Sequence, residues 1–97
     1  QISVKQAKYL ELLTRSCYRG FAEDCWRVGD LYAHGVGVEY NPSKAIELSA
    51  KACDGQVLQG CSDLAFVHGK EGNFDKALEP ATKACNGGDM QGCSSLG

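Results

Sequence analysis

Six cysteines carry most of the chemical potential of this chain, and their spacing decides which chemistry to expect. They fall as Cys17/Cys25, Cys53/Cys61 and Cys85/Cys93, three pairs with seven residues inside each. Regularly paired thiols either oxidise to disulfides or hold a metal. Structural zinc sites favour roughly two to four residues between ligands and often recruit histidine. Seven is too wide, and only His34 and His68 are available. Disulfides are therefore expected and no metal centre or cofactor is, which in turn points to an oxidising compartment. A pair that recurs three times selects the local pairing among the many that six thiols permit: Cys17–Cys25, Cys53–Cys61 and Cys85–Cys93.

Other reactive groups read more plainly as parts of helices. Glu23-Asp24 stands where a helix is expected to begin, and acidic side chains there answer its positive end. A metallo-enzyme needs at least three ligands converging on an open site, and two histidines in different hairpins do not suggest one. Each is read as a helix-end residue. Gly35-Val36-Gly37 has the look of a phosphate loop, but no strand precedes it and no Lys-Ser/Thr follows. It is a hairpin loop.

The cysteine pairs sit inside a longer repeat. Lys51-Ala52-Cys53-Asp54-Gly55-Gln56-Val57-Leu58-Gln59-Gly60-Cys61 recurs as Lys83-Ala84-Cys85-Asn86-Gly87-Gly88-Asp89-Met90-Gln91-Gly92-Cys93, with a looser copy from Arg15 to Cys25. Self-similarity of this kind marks a repeat array. Between the copies the apolar residues follow helical spacing. A first helix is expected over residues 2–17, with Val4, Ala7, Leu10, Leu13 and Cys17 forming one buried stripe. Arg19-Gly20 stops it. A second helix starts near Ala22 to Asp24, carries Cys25, Val28, Gly29, Leu31 and Tyr32, and ends at His34-Gly35. Asn41-Pro42 is a cap followed by proline at the first helical position, opening a third helix that buries Ala45, Ile46, Leu48 and Ala52. The cycle then returns. A fourth helix begins near Leu58 to Gly60 with Cys61, Leu64, Ala65 and His68 inward, a fifth is capped by Asn73 and ends at Asn86, and a sixth begins at Gly92. Pro80 lies inside the fifth, where it should kink the helix.

The second cysteines of the pairs are 36 and then 32 residues apart, while Gly29 to Ala45 spans 16 residues and Ala65 to Ala77 spans 12. The whole difference of four therefore lies in the loop between paired helices. Small residues at Gly29, Ala45 and Ala52, and again at Ala65, Ala77, Ala81 and Ala84, allow close approach within each hairpin.

At 97 residues the chain is one domain. A net charge of -2 with both signs interspersed gives no basic stripe for nucleic acid, and no apolar run approaches the ~20 residues of a membrane span. No signal peptide is visible; Gln1 leaves open what precedes it.

Val28-Gly29-Asp30-Leu31-Tyr32-Ala33-His34-Gly35-Val36-Gly37-Val38, with Asn41-Pro42-Ser43-Lys44-Ala45, resembles a Sel1-like repeat, although Val28 stands for the usual Leu and Asn41 for the usual Asp. Leu64-Ala65 and Gly72-Asn73-Phe74-Asp75-Lys76-Ala77 resemble the shorter tetratricopeptide repeat. The Lys-Ala-Cys-[Asp/Asn]-Gly…Gly-Cys junctions are similar to those of the cysteine-rich Sel1-like proteins of Helicobacter and relatives, in which the two cysteines of a repeat are bonded. The resemblance implies an all-α fold, a right-handed α-solenoid of antiparallel helix pairs stapled by one disulfide per repeat. It divides residues 1–97 into a partial repeat 1–20, repeats 21–56 and 57–88, and the start of another at 89–97, as in a piece of a longer array.

It also implies function. By analogy with tetratricopeptide grooves, the concave surface made by the first helix of each hairpin binds a protein or peptide, with Trp26, Asp30 and His34 from one hairpin and Ser62, Phe66 and Lys70 from the next. Trp26 and Phe66 are either such anchors or packing between hairpins. The compartment is periplasmic or secreted, or alternatively the mitochondrial intermembrane space. Some relatives carry a β-lactam-binding or β-lactamase-like description, the second functional reading. A serine β-lactamase needs Ser-x-x-Lys with Ser-Asp-Asn and Lys-Thr-Gly, and none is present, so no catalysis is expected.

Overall fold

Each helix ends on a local signal. In the computed structural model, which describes residues 4–88, five helices follow one another: α1 (Val4–Tyr18), α2 (Ala22–His34), α3 (Pro42–Asp54), α4 (Leu58–Lys70) and α5 (Phe74–Asn86). α2 stops at Gly35, which takes the left-handed conformation (φ 63°) that a side chain resists, and its N–H closes on the Leu31 carbonyl. α3 starts where Asn41 Oδ1 accepts from the Lys44 N–H at 3.1 Å, with Pro42 at the first helical position. Asn73 holds the matching place before α5 but does not cap as expected. Its ψ of 64° falls short of the extended backbone of Asn41, and its side chain makes no cap bond. α5 is continuous through Pro80, which is buried.

Seven residues separate α2 from α3 and three separate α4 from α5, so the four-residue difference lies in that loop. Loops this short fold each pair back on itself. α2 packs on α3, α4 on α5, and α3 and α2 both touch α4, while α1 rests mainly on α2. A 13-residue helix is about 20 Å long, so the 40 Å long axis of the chain is the direction of stacking. The array is an all-α solenoid, each unit contacting its neighbours.

Within the first hairpin the helices approach through Gly29. A Cβ built there would stand 2.8 Å from Ser49 Oγ and 3.1 Å from the Ser49 backbone nitrogen, closer than side-chain carbons sit. One core cluster joins Cys17, Cys25, Val28, Leu48 and Ala52, with Leu10, Leu13, Trp26 and Tyr32 packed on it. A second sets Val67 of α4 against Ala33 and Ala45, so the second hairpin plugs the first. The third is Cys53, Cys61 and Ala84. Disulfides Cys17–Cys25 and Cys53–Cys61 are formed, with Cα atoms 4.5 and 4.6 Å apart. Each joins the end of one hairpin to the start of the next, and all four cysteines are buried. The third pair reaches Cys93, which lies outside the described residues, as does the expected sixth helix.

The stripe of α1 is covered only in part. Leu10, Leu13 and Cys17 meet the core, but Val4 is 76% exposed and Ala7 is exposed too. The first turns of α1 lie beside the end of α2 and the 36–41 loop: Ala7 and Leu10 share a shallow groove with Tyr32, Val38, Glu39 and Tyr40. Periodicity names a face, and a neighbour must still cover it.

His68 is half-buried on α4. Burial pushes its imidazole below the ordinary 6.5, the Lys76 ammonium adds to this, and Nδ1 has no hydrogen-bond partner. As the pH falls through the window around the ordinary value of about 6.5, the unfolded chain gains a proton here that the folded chain resists, so acidification favours unfolding. Stability is expected to fall over that window, and His68→Gln to flatten the fall. Urea melts at several pH values check this; parallel curves for the two proteins would remove His68 as the cause.

Candidate binding surface

α2 and α4, the first helices of the two hairpins, lie side by side and bring together groups from both. Asp30 and His34 are one turn apart on α2 and therefore share a face. Asp63, Phe66 and Lys70 come from α4. His34 Nε2 lies 3.2 Å from Asp30 Oδ1 and 3.6 Å from Asp63 Oδ1. The His34 ring packs on Phe66 with centroids 4.7 Å apart and planes tilted by 33°, which fixes the direction of Nε2. Asp63 is only 4% exposed, whereas the side chains of Asp30 and His34 are each more than a third exposed. The three donor atoms of Asp30, His34 and Asp63 lie within 4.8 Å of one another.

Lys70 extends the cluster. Its ammonium stands 4.2 Å from the centre of the Tyr40 ring and 5.8 Å from that of Phe66, cation–π distances. Tyr40, from the α2–α3 loop, donates its hydroxyl to Glu71 Oε2 at 2.7 Å, tying the first hairpin to the end of α4. Desolvation first, and then this bond and the Glu71 charge, push the phenol up to about 12, so it stays a donor across the physiological range.

Phe66 has a second neighbourhood. It is 41% exposed and, with Gly69, Lys70, Phe74 and Leu78, lines an apolar groove of about 580 Å³ between α4 and α5. Phe74 and Leu78 are 72% and 60% exposed. An uncovered apolar strip of this kind marks an interaction surface more often than an idle one.

Of the six residues expected in the groove, four meet here: Asp30, His34, Phe66 and Lys70. Trp26 lies half-buried against the first core cluster, with the Arg27 guanidinium 5.8 Å from its ring. Ser62 is a correction. It is 3% exposed, and its Oγ has no hydrogen-bond partner, so it is a small packing residue in the helix seam rather than a groove lining. It occupies the repeat position of Trp26, but α4 packs against α2, α3 and α5, which leaves no outlet for that side chain. Asp63 was not singled out from sequence. No spacing within α4 signals it, because its partners come from α2.

Two stacked helix hairpins, cross-stapled where one ends and the next begins, define a helical-repeat solenoid. Residues 22–57, which are α2, α3 and the junction before α4, match the model of the Sel1 repeat. That segment is similar to a Sel1 repeat, and α4 and α5 form a second helix pair stacked on it. Sel1 repeats generally mediate protein–protein interaction and are typically non-catalytic. No curated protein and no solved structure matches the chain. No helix among the described residues is long and apolar enough to cross a membrane.

Proposed function

We propose that this chain is a protein- or peptide-binding adaptor module that works in an oxidising compartment, periplasmic or secreted, with the α2/α4 face and the adjoining α4/α5 groove as its docking surface. The observation that carries this is Phe66. It is an aromatic ring left 41% exposed where a polar cluster meets an apolar groove. Interface anchors have this character: a rigid ring beside charged groups that fix orientation. Asp30, His34 and Lys70 supply those groups. Two buried disulfides favour the oxidising compartment. The β-lactam reading finds no Ser-x-x-Lys motif to build on.

The test separates anchor from core. After affinity capture from envelope extract, the partner is purified and titrated against variants whose thermal stability is recorded in parallel. Phe66→Ala is expected to weaken binding about tenfold or more with little change in stability. Trp26→Ala is expected to lose stability, because Trp26 packs on the core. Unchanged affinity for Phe66→Ala would remove this face from the function.

A further inference from the structure

We propose that Asp30, His34 and Asp63 form a site for one divalent transition cation of the zinc class, held between α2 and α4. The geometry supports this before the chemistry does. Zinc bonds to nitrogen and oxygen run about 2.0–2.2 Å, which sets ligand atoms around a tetrahedral ion roughly 3.4 Å apart. His34 Nε2 stands 3.2 Å from one carboxylate and 3.6 Å from the other, on either side of that value. A charge-assisted N–H···O bond draws its atoms to about 2.7–2.9 Å. Nε2 has a single hydrogen to give and cannot aim it at two carboxylates at once; an ion at the centre serves both. The carboxylate oxygens of Asp30 and Asp63 also lie within 4.8 Å of each other. Asp30 is exposed enough to close the remaining gap by turning its side chain.

Burial supplies the second argument. Asp63 is 4% exposed in a helix seam, where a positive charge nearby favours its carboxylate form. The imidazole facing it offers such a charge only when protonated. A dication ligated through Nε2 offers it with the ring deprotonated. Packing on Phe66 at 4.7 Å holds the ring with Nε2 toward both carboxylates, the preorganisation a ligand needs. One imidazole nitrogen with two carboxylate oxygens suits zinc and its neighbours rather than a soft thiophilic ion, and the cysteines that would bring thiolates, Cys17, Cys25, Cys53 and Cys61, are already spent in disulfides. Because Asp30 and His34 are partly exposed, a further coordination position opens to solvent and would hold water. The site does not depend on the adaptor reading and is measured without a partner protein.

The probe is zinc alone. Untagged protein with its disulfides intact, freed of metal with a chelator, is titrated with Zn²⁺ by calorimetry. Co²⁺ replaces Zn²⁺ to give visible bands that report nitrogen and oxygen ligation. One equivalent is expected to bind, with thermal stability rising as Zn²⁺ saturates. His34→Gln and Asp63→Asn are each expected to weaken binding at least about tenfold, and His68→Gln to leave it unchanged. Were Asp63→Asn to fold poorly, His34→Gln at its exposed position gives the same answer. Absence of saturable binding below about 1 mM, or binding that His34→Gln does not alter, overturns the site.

Discussion

Replacing Cys53 and Cys61 together with alanine is expected to lower the free energy of unfolding by about 2.5 kcal/mol, the chain-entropy value for closing so short a loop. Both sulfurs are buried with Ala84, so the substitution also removes core atoms, and the loss should not fall below that value by much. The bond ties the last turn of α3 to the first turn of α4, and its absence loosens one hairpin from the next. Cys17–Cys25 plays the same part for α1, which has α2 as its main support. Urea unfolding of the double variant measures the effect, with hydrogen exchange showing where protection goes first. Exchange should rise in α4 and α5 on loss of Cys53–Cys61, and in α1 on loss of Cys17–Cys25. A change under about 1 kcal/mol would mean that the stack holds without its staples, against the expectation for small domains with limited cores.

The parts of this fold that could be read from the chain are those whose causes are local. Gly35 stops α2 and Asn41-Pro42 starts α3 because the relevant contacts lie within four residues. The loop difference between the hairpins follows from counting alone, and a spacing repeated three times selects local disulfides. Failures begin where a residue's fate depends on a distant neighbour. Val67 is fully buried, yet the inward face read for α4 was Cys61, Leu64, Ala65 and His68. A solenoid helix has two covered faces, one toward its own partner and one toward the preceding hairpin, and a single apolar stripe reveals the first. Val67 belongs to the second, against Ala33 and Ala45. Ser62 and Trp26 share a repeat position but not an environment, so transferring a role along the repeat misplaced Ser62. Asp63 completes the cluster on His34 only through the relative register of α2 and α4, which no periodicity within either helix encodes.

That register rests on Gly60, and Gly60→Val is expected to cost about 3 kcal/mol, the upper end of the overpacking range. A Cβ at this position would stand 2.5 Å from Ala52 Cβ, 3.1 Å from the Cys53 backbone nitrogen and 3.2 Å from the Ala52 carbonyl carbon. None of these atoms belongs to a flexible side chain that could swing aside. Nor can the two helices hinge apart at their junction, because Cys53 is bonded to Cys61, the residue after Gly60. Leaving glycine behind in a helix gains only a few tenths of a kcal/mol when valine replaces it, far less than the clash. Gly69, near the other end of α4, is the control. A Cβ there meets nothing within 4 Å, so Gly69→Ala should raise stability by up to ~1 kcal/mol. Opposite signs from two glycines on one helix, measured by urea unfolding, would show that contact at the α3–α4 crossing sets the stack. The displacement also carries a consequence for the surface: Asp63 lies one turn beyond Gly60, and moving α4 off α3 draws its carboxylate away from His34. Gly60→Val is therefore expected to weaken Zn²⁺ binding as well as stability, while Gly69→Ala leaves it intact. A Gly60→Val protein as stable as the parent would mean that α4 does not depend on this close approach for its position.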